Sequence, residues 1–84
     1  MTLFQLRKTI EAQTGKSLPA SKVAEAIGVK KQQYWSYEQG VVPNVIVVRE
    51  MWRYFQQWMP ELTLEEMISI IEETSKQKEP AAAG

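Results

Sequence analysis

Cysteine, histidine and aspartate are all missing from this chain of 84 residues. Their absence excludes disulfides, thiol nucleophiles, imidazole bases and the usual zinc or copper ligand sets. Catalysis would have to run on Glu, Lys, Ser, Thr and Tyr. Neither a glycine-rich phosphate loop nor a Ser-x-x-Lys arrangement stands in a suitable context for it. The sequence therefore predicts no enzyme, no metal site and no cofactor. No apolar run approaches the ~20 residues of a membrane span, and the first residues lack the basic-then-apolar order of a signal segment. The expectation is a cytoplasmic protein without a membrane partner.

Net charge is missing as well, with ten bases against ten acids. The zero hides a gradient. Through Gly40 there are six bases (Arg7, Lys8, Lys16, Lys22, Lys30, Lys31) against three acids (Glu11, Glu25, Glu38), a net +3. The remainder, four bases against seven acids, carries −3. A polyanion would be drawn to the first half and repelled by the second. Eighty-four residues suit one small domain, and neither an internal repeat nor a linker divides it.

What is present reads as helix. Thr2-Leu3-Phe4-Gln5 has the form of a capping box; Leu3, Leu6 and Ile10 keep helical spacing up to about Thr14, and Gly15 supplies a stop. Pro19 suits the start of a second helix, where its missing N–H costs nothing. A third should run from Lys31 to about Gln39. The stretch Val41–Val48 is rich in β-branched residues, but Pro43-Asn44 interrupts it, so the expectation is a fourth helix from Val45, capped by Asn44. Its apolar stripe is expected at Val45, Val48, Trp52 and Phe55, and Pro60 ends the run. Thr63-Leu64-Glu65-Glu66 is a second capping box, followed by a stripe of Leu64, Met67, Ile68 and Ile71 with Ile70 beside it. Glu72 and Lys76 are spaced for a surface ion pair. Residues 1–78 form the domain in this reading and 79–84 a loose tail.

The segment from Ala20 to Gly40, ASKVAEAIGVKKQQYWSYEQG, carries the most specific pattern. Val23, Ala24 and Ile27 line one face of a short helix, and Tyr34 and Tyr37 one face of the next. Gly28 between them can take the left-handed conformation at no steric cost, and Ala24 is small where the helices would cross. The other face of the later helix holds Lys31, Gln32, Trp35 and Ser36, the kind of hydrogen-bonding surface that touches base edges in a major groove.

Taken in register, Val23-Ala24, Gly28-Val29, Tyr34, Tyr37, Glu38, Gly40 and Pro43 resemble the helix-turn-helix of the lambda-repressor-like (Cro/C1, XRE-type) family of phage and bacterial transcription regulators. The resemblance covers roughly Leu6 to Leu64. It implies an all-α bundle of about five helices and a small, cytoplasmic, dimeric repressor of bacterial or phage type that occupies an operator in double-stranded DNA. Three positions depart from the family: Ala20 replaces a frequent glutamine, Trp35 a small or polar base-contacting residue, and Val41-Val42 the polar or basic residues usual near phosphate.

These readings place Lys31, Gln32, Trp35 and Ser36 at bases, and Lys22, Lys30, Asn44 and Arg49 at phosphates. The bland alternative for the lysines is an ordinary solvated surface. Tyr34, Tyr37, Trp52 and Phe55 are assigned to the core. Trp58, Met59, Ile70, Val41 and Val42 are then left over; either a second copy of the chain covers them or the fifth helix folds back over Trp58. The alternative function is a protein-interaction module, or an antitoxin-like accessory protein, docking a protein partner on Trp35, Val41 and Val42.

Overall fold

The computed structural model describes the backbone of residues 1–83 and the side chains of residues 1–77, so the tail expected at 79–84 lies outside the described side chains. Its elements are α1 (Leu3–Thr14), α2 (Ala20–Ile27), α3 (Lys31–Glu38), α4 (Val45–Gln56) and α5 (Leu64–Ala83), with no strand among the described residues. The described residues form an all-α bundle of five helices. Local chemistry fixes most of the helix ends. Thr2 Oγ1 accepts from the Gln5 N–H while Gln5 Oε1 accepts from the Thr2 N–H, closing the expected capping box on α1. Gly15 ends α1 at φ 68°, the left-handed region where a Cβ would be strained. Asn44 Oδ1 accepts from the Val47 N–H at 3.0 Å and starts α4. Thr63 and Glu66 exchange the same reciprocal bonds at the start of α5.

All five helices and the loops between them supply one core. It contains Leu3, Leu6 and Ile10 of α1, Leu18 of the loop after it, Val23, Ala24 and Ile27 of α2, Tyr34 and Tyr37 of α3, Val47, Val48, Met51 and Phe55 of α4, Leu62, and Met67, Ile70 and Ile71 of α5. The Cα radius of gyration is 12.2 Å, matching the ~12 Å of a single close-packed domain of this length. Two stripes are rotated from their expected phase. On α4, Val45 faces solvent and Met51 takes the interior place. On α5, Ile70 is buried and Ile68 is exposed. Each helix has consecutive apolar residues around the ambiguous position, so spacing alone permits two phases, and packing against the other helices selects one.

Trp58, expected to be left over, stacks edge-on against Tyr54 at 5.0 Å and packs on the core together with Met59. The Trp52 indole N–H and the Gln56 amide both donate to the Leu62 carbonyl, at 2.7 and 3.2 Å, tying α4 to the turn before α5. Glu72 and Lys76 form no ion pair with each other. Among the described residues, no helix is long and apolar enough to cross a membrane.

Candidate nucleic-acid interface

The exposed face of α3 owes its position to three buried anchors. Ala24, on the face of α2 that packs against α3, has almost no side chain, so the two helix backbones can approach closely. Gly28, at φ 79°, donates its N–H to the Ala24 and Glu25 carbonyls, and the Val29 N–H bonds Ala24 O at 3.0 Å. The chain therefore reverses within three residues. Tyr34 and Tyr37 then enter the core as an edge-to-face pair with centroids 6.5 Å apart.

The third anchor is an ion pair. Arg7 of α1 donates from Nε and Nη2 to the two Glu38 carboxylate oxygens, at 2.7 and 3.0 Å, and from Nη1 to the Leu18 carbonyl at 3.0 Å. Both side chains are buried. The bidentate geometry, together with the Glu38 charge, holds the guanidinium above its ordinary pKa. One side chain thus ties α1 to the end of α3 and to the loop ahead of α2. Sequence reasoning missed Arg7, although Leu3, Leu6, Arg7 and Ile10 share one helical stripe. A charge inside an apolar stripe is a signal of a buried partner.

With α3 fixed, Lys31, Gln32 and Trp35 stand exposed, Trp35 at 57%. Ser36 is different. Its hydroxyl is half-buried and donates to the Gln33 carbonyl at 2.6 Å, the back-bond a short hydroxyl readily makes within a helix. Its proton is committed, leaving only acceptor capacity for a base. Gln33 donates to the Tyr37 hydroxyl at 2.8 Å and braces the same helix. Lys30 caps α3 without a side-chain bond, so the first-turn amides have no side-chain acceptor. No family model matches the chain, and no match was found among curated proteins or solved structures.

The expected phosphate-contacting residues divide. Lys22 on α2 and Lys30 at the α2–α3 turn are exposed. Asn44 is exposed too, but its carbonyl oxygen is occupied by the α4 cap, leaving its amide N–H groups to donate. Arg49 lines a groove of about 290 Å³ between α4 and α5, with Pro43, Val45, Val48, Leu64 and Ile68. Val41 and Val42 are exposed beside the end of α3, and the Val41 N–H bonds Ser36 O at 3.0 Å. The face can donate hydrogen bonds and positive charge from Lys22, Lys30, Lys31 and Gln32, next to an apolar edge of Trp35, Val41 and Val42.

Proposed function

We propose that this chain is a sequence-specific binder of double-stranded DNA that regulates transcription, a small repressor that occupies an operator. What carries the reading is the α2–Gly28–α3 unit, which buries Tyr34 and Tyr37 and presents Lys31, Gln32 and Trp35 outward from one short helix. The resemblance of residues 20–43 to the lambda-repressor-like helix-turn-helix supports it. In this reading Lys31 and Gln32 hydrogen-bond base edges, Gln32 pairing with adenine, and Trp35 packs on a thymine methyl or the sugar edge. Lys22, Lys30 and the Asn44 amide hold phosphates, joined by the first-turn N–H groups of α3. The activity is binding, without catalysis.

Selection of bound duplexes from a random pool at low salt, followed by sequencing, is the direct test. Enrichment of a defined motif is the expected result. Gln32→Ala should then relax preference at one base by ~1–3 kcal/mol while leaving the rest of the motif intact. An unchanged preference would remove Gln32 from the base-reading set.

A second reading rests on the exposed Trp35, Val41 and Val42, an apolar edge where a phosphate-contacting surface is ordinarily polar. There the same scaffold docks a protein, as an antitoxin or accessory factor would. No enrichment from the pool by a folded protein would favour this reading.

A further inference from the structure

The turn from α4 to α5 borders an open trough. One hollow of about 400 Å³ is lined by the buried or half-buried Trp58, Met59 and Leu62 and by the exposed Gln13, Glu61 and Glu66. A second, of about 300 Å³, shares Met59, Leu62 and Glu66 with the first and runs on along α5 to Ser69, Ile70 and Glu73. With three lining residues in common, the two hollows are one trough. Its α5 wall is a single stripe, because Glu66, Ser69, Ile70 and Glu73 stand at i, i+3, i+4 and i+7. That stripe extends about 10 Å along the helix. The floor is formed in advance: the Leu62 carbonyl takes the Trp52 indole and the Gln56 amide, the Leu62 N–H bonds Met59 O at 2.9 Å, and Tyr54 holds Trp58 edge-on. Docking there orders little of the protein.

Charge selects the occupant. Among the described residues no lysine or arginine lines either hollow, Glu61 and Glu66 make no ion pair, and Glu73 pairs with the Met1 ammonium. Beside Trp58 a smaller hollow of about 210 Å³ is bordered by Lys16 and Lys22, which ends the acidic stretch on that side. The acidic rim repels a nucleic acid or an anionic bilayer and attracts a cation. The apolar floor asks for aliphatic side chains between the cations, and the flexible Met59 thioether can adapt to them. A single small cation would leave most of the wall empty. We propose that this trough docks a basic amphipathic helix of a partner protein, with its apolar stripe on Trp58, Met59, Leu62 and Ile70 and its lysines or arginines toward Glu61, Glu66 and Glu73. The mode is a helix laid in a groove, with anchors repeating at the same spacing as the α5 stripe. The inference does not rest on the DNA reading, because no residue of α2 or α3 lines the trough.

NMR titration of the isotope-labelled chain, without DNA, tests it with a synthetic peptide of about five helical turns that carries leucine on one face and lysine on the other. Saturable amide shifts centred on residues 58–73 and a Kd of micromolar order are expected. A scrambled peptide of the same composition, which has no apolar face, and a leucine–glutamate peptide should each bind at least roughly tenfold more weakly. Glu61→Lys and Glu73→Lys should each weaken the leucine–lysine peptide by roughly tenfold. Glu72→Lys, at an exposed acid of α5 that lines neither hollow, should leave its affinity unchanged. A cooperative thermal melt of each variant confirms folding. Absence of saturable shifts overturns the proposal, as do shifts centred on α2 and α3 or an equal loss in Glu72→Lys, which would reduce the attraction to bulk charge. Butylamine binding as tightly as the peptide would make the trough a small-cation site and overturns the helix as its occupant. Duplex selection uses a different face and a different ligand, so the DNA reading and this one fail separately.

Discussion

Tyr34 is the least satisfied residue in the core. Its ring is fully buried, and its hydroxyl lies near enough to Glu38 and Arg7 to feel both charges, yet it makes no hydrogen bond of ordinary geometry with either. Burial first, and then the Glu38 carboxylate, push the phenol well above its ordinary pKa of 10.0. Since the folded value exceeds the unfolded one, the phenol makes stability depend little on pH below 10 and lowers it as pH rises past 10, where the unfolded chain ionises first. Tyr34→Phe removes an unpaired polar atom while keeping the ring. Urea denaturation should show the variant more stable by about 1 kcal/mol at neutral pH, with a shallower loss of stability above pH 10. A less stable variant would mean that the hydroxyl does find a partner, water included. Tyr34 and Tyr37 were recognisable in the sequence as core because their spacing and size agree. The neighbouring Arg7–Glu38 pair was not, because its partners lie 31 positions apart and a lone charge carries no record of what it will meet.

Helix ends were the most readable elements, since a cap is decided within four residues by hydrogen bonds the local sequence names. The boxes at Thr2–Gln5 and Thr63–Glu66, the Asn44 cap and the Gly15 and Gly28 stops all form as expected. Helix faces were less readable. Val45-Ile46-Val47-Val48 offers an apolar residue to every direction, so only the surrounding helices determine that Val47 and Val48 turn inward. The candidate site inherits the same division: its turn, its exposed helix face and even Ser36's bond to Gln33 are local, whereas Arg49's place beside α5 depends on completed geometry. Gly28→Ala tests the turn. A Cβ there meets nothing within 4 Å, so the cost is the left-handed backbone alone, about 1–2 kcal/mol. The melting temperature should fall by roughly 4–16 °C. Acid tests two of the other local links. The Leu18 N–H bonds Glu11 at 2.6 Å with Lys8 3.0 Å away, and the Thr63 N–H bonds Glu66 at 2.9 Å; both carboxyls are held below their ordinary 4.5. Their stabilisation is present above pH 4.5 and disappears as pH falls through the lowered folded values. Melts across that range should show the loss, and Glu11→Gln or Glu66→Gln should each make it shallower.

The whole molecule carries its charge unevenly, and that distribution limits how it can hold a polyanion. Of the basic residues, Lys22, Lys30 and Lys31 lie on or beside the α2–α3 face, while the acids concentrate in α5. If Lys22 and Lys30, the two lysines assigned to phosphate, neutralise one each, binding to a fixed duplex should fall with salt at a log–log slope of about −2. A much steeper slope would require more phosphate contacts than these lysines supply, and would place DNA on another surface. Lys30→Ala should flatten the slope by about one and weaken all sequences alike, because a phosphate contact carries no base information. Lys76→Ala, an exposed lysine on α5, should leave the slope unchanged. This contrast separates local contact from bulk electrostatics: both substitutions remove one positive charge from a chain of net zero charge, so an equal effect would mean that only total charge matters. A slope altered by Lys30→Ala alone would instead locate the phosphate backbone at the start of α3, where the exposed amides and Gln32 lie within one helical turn of it.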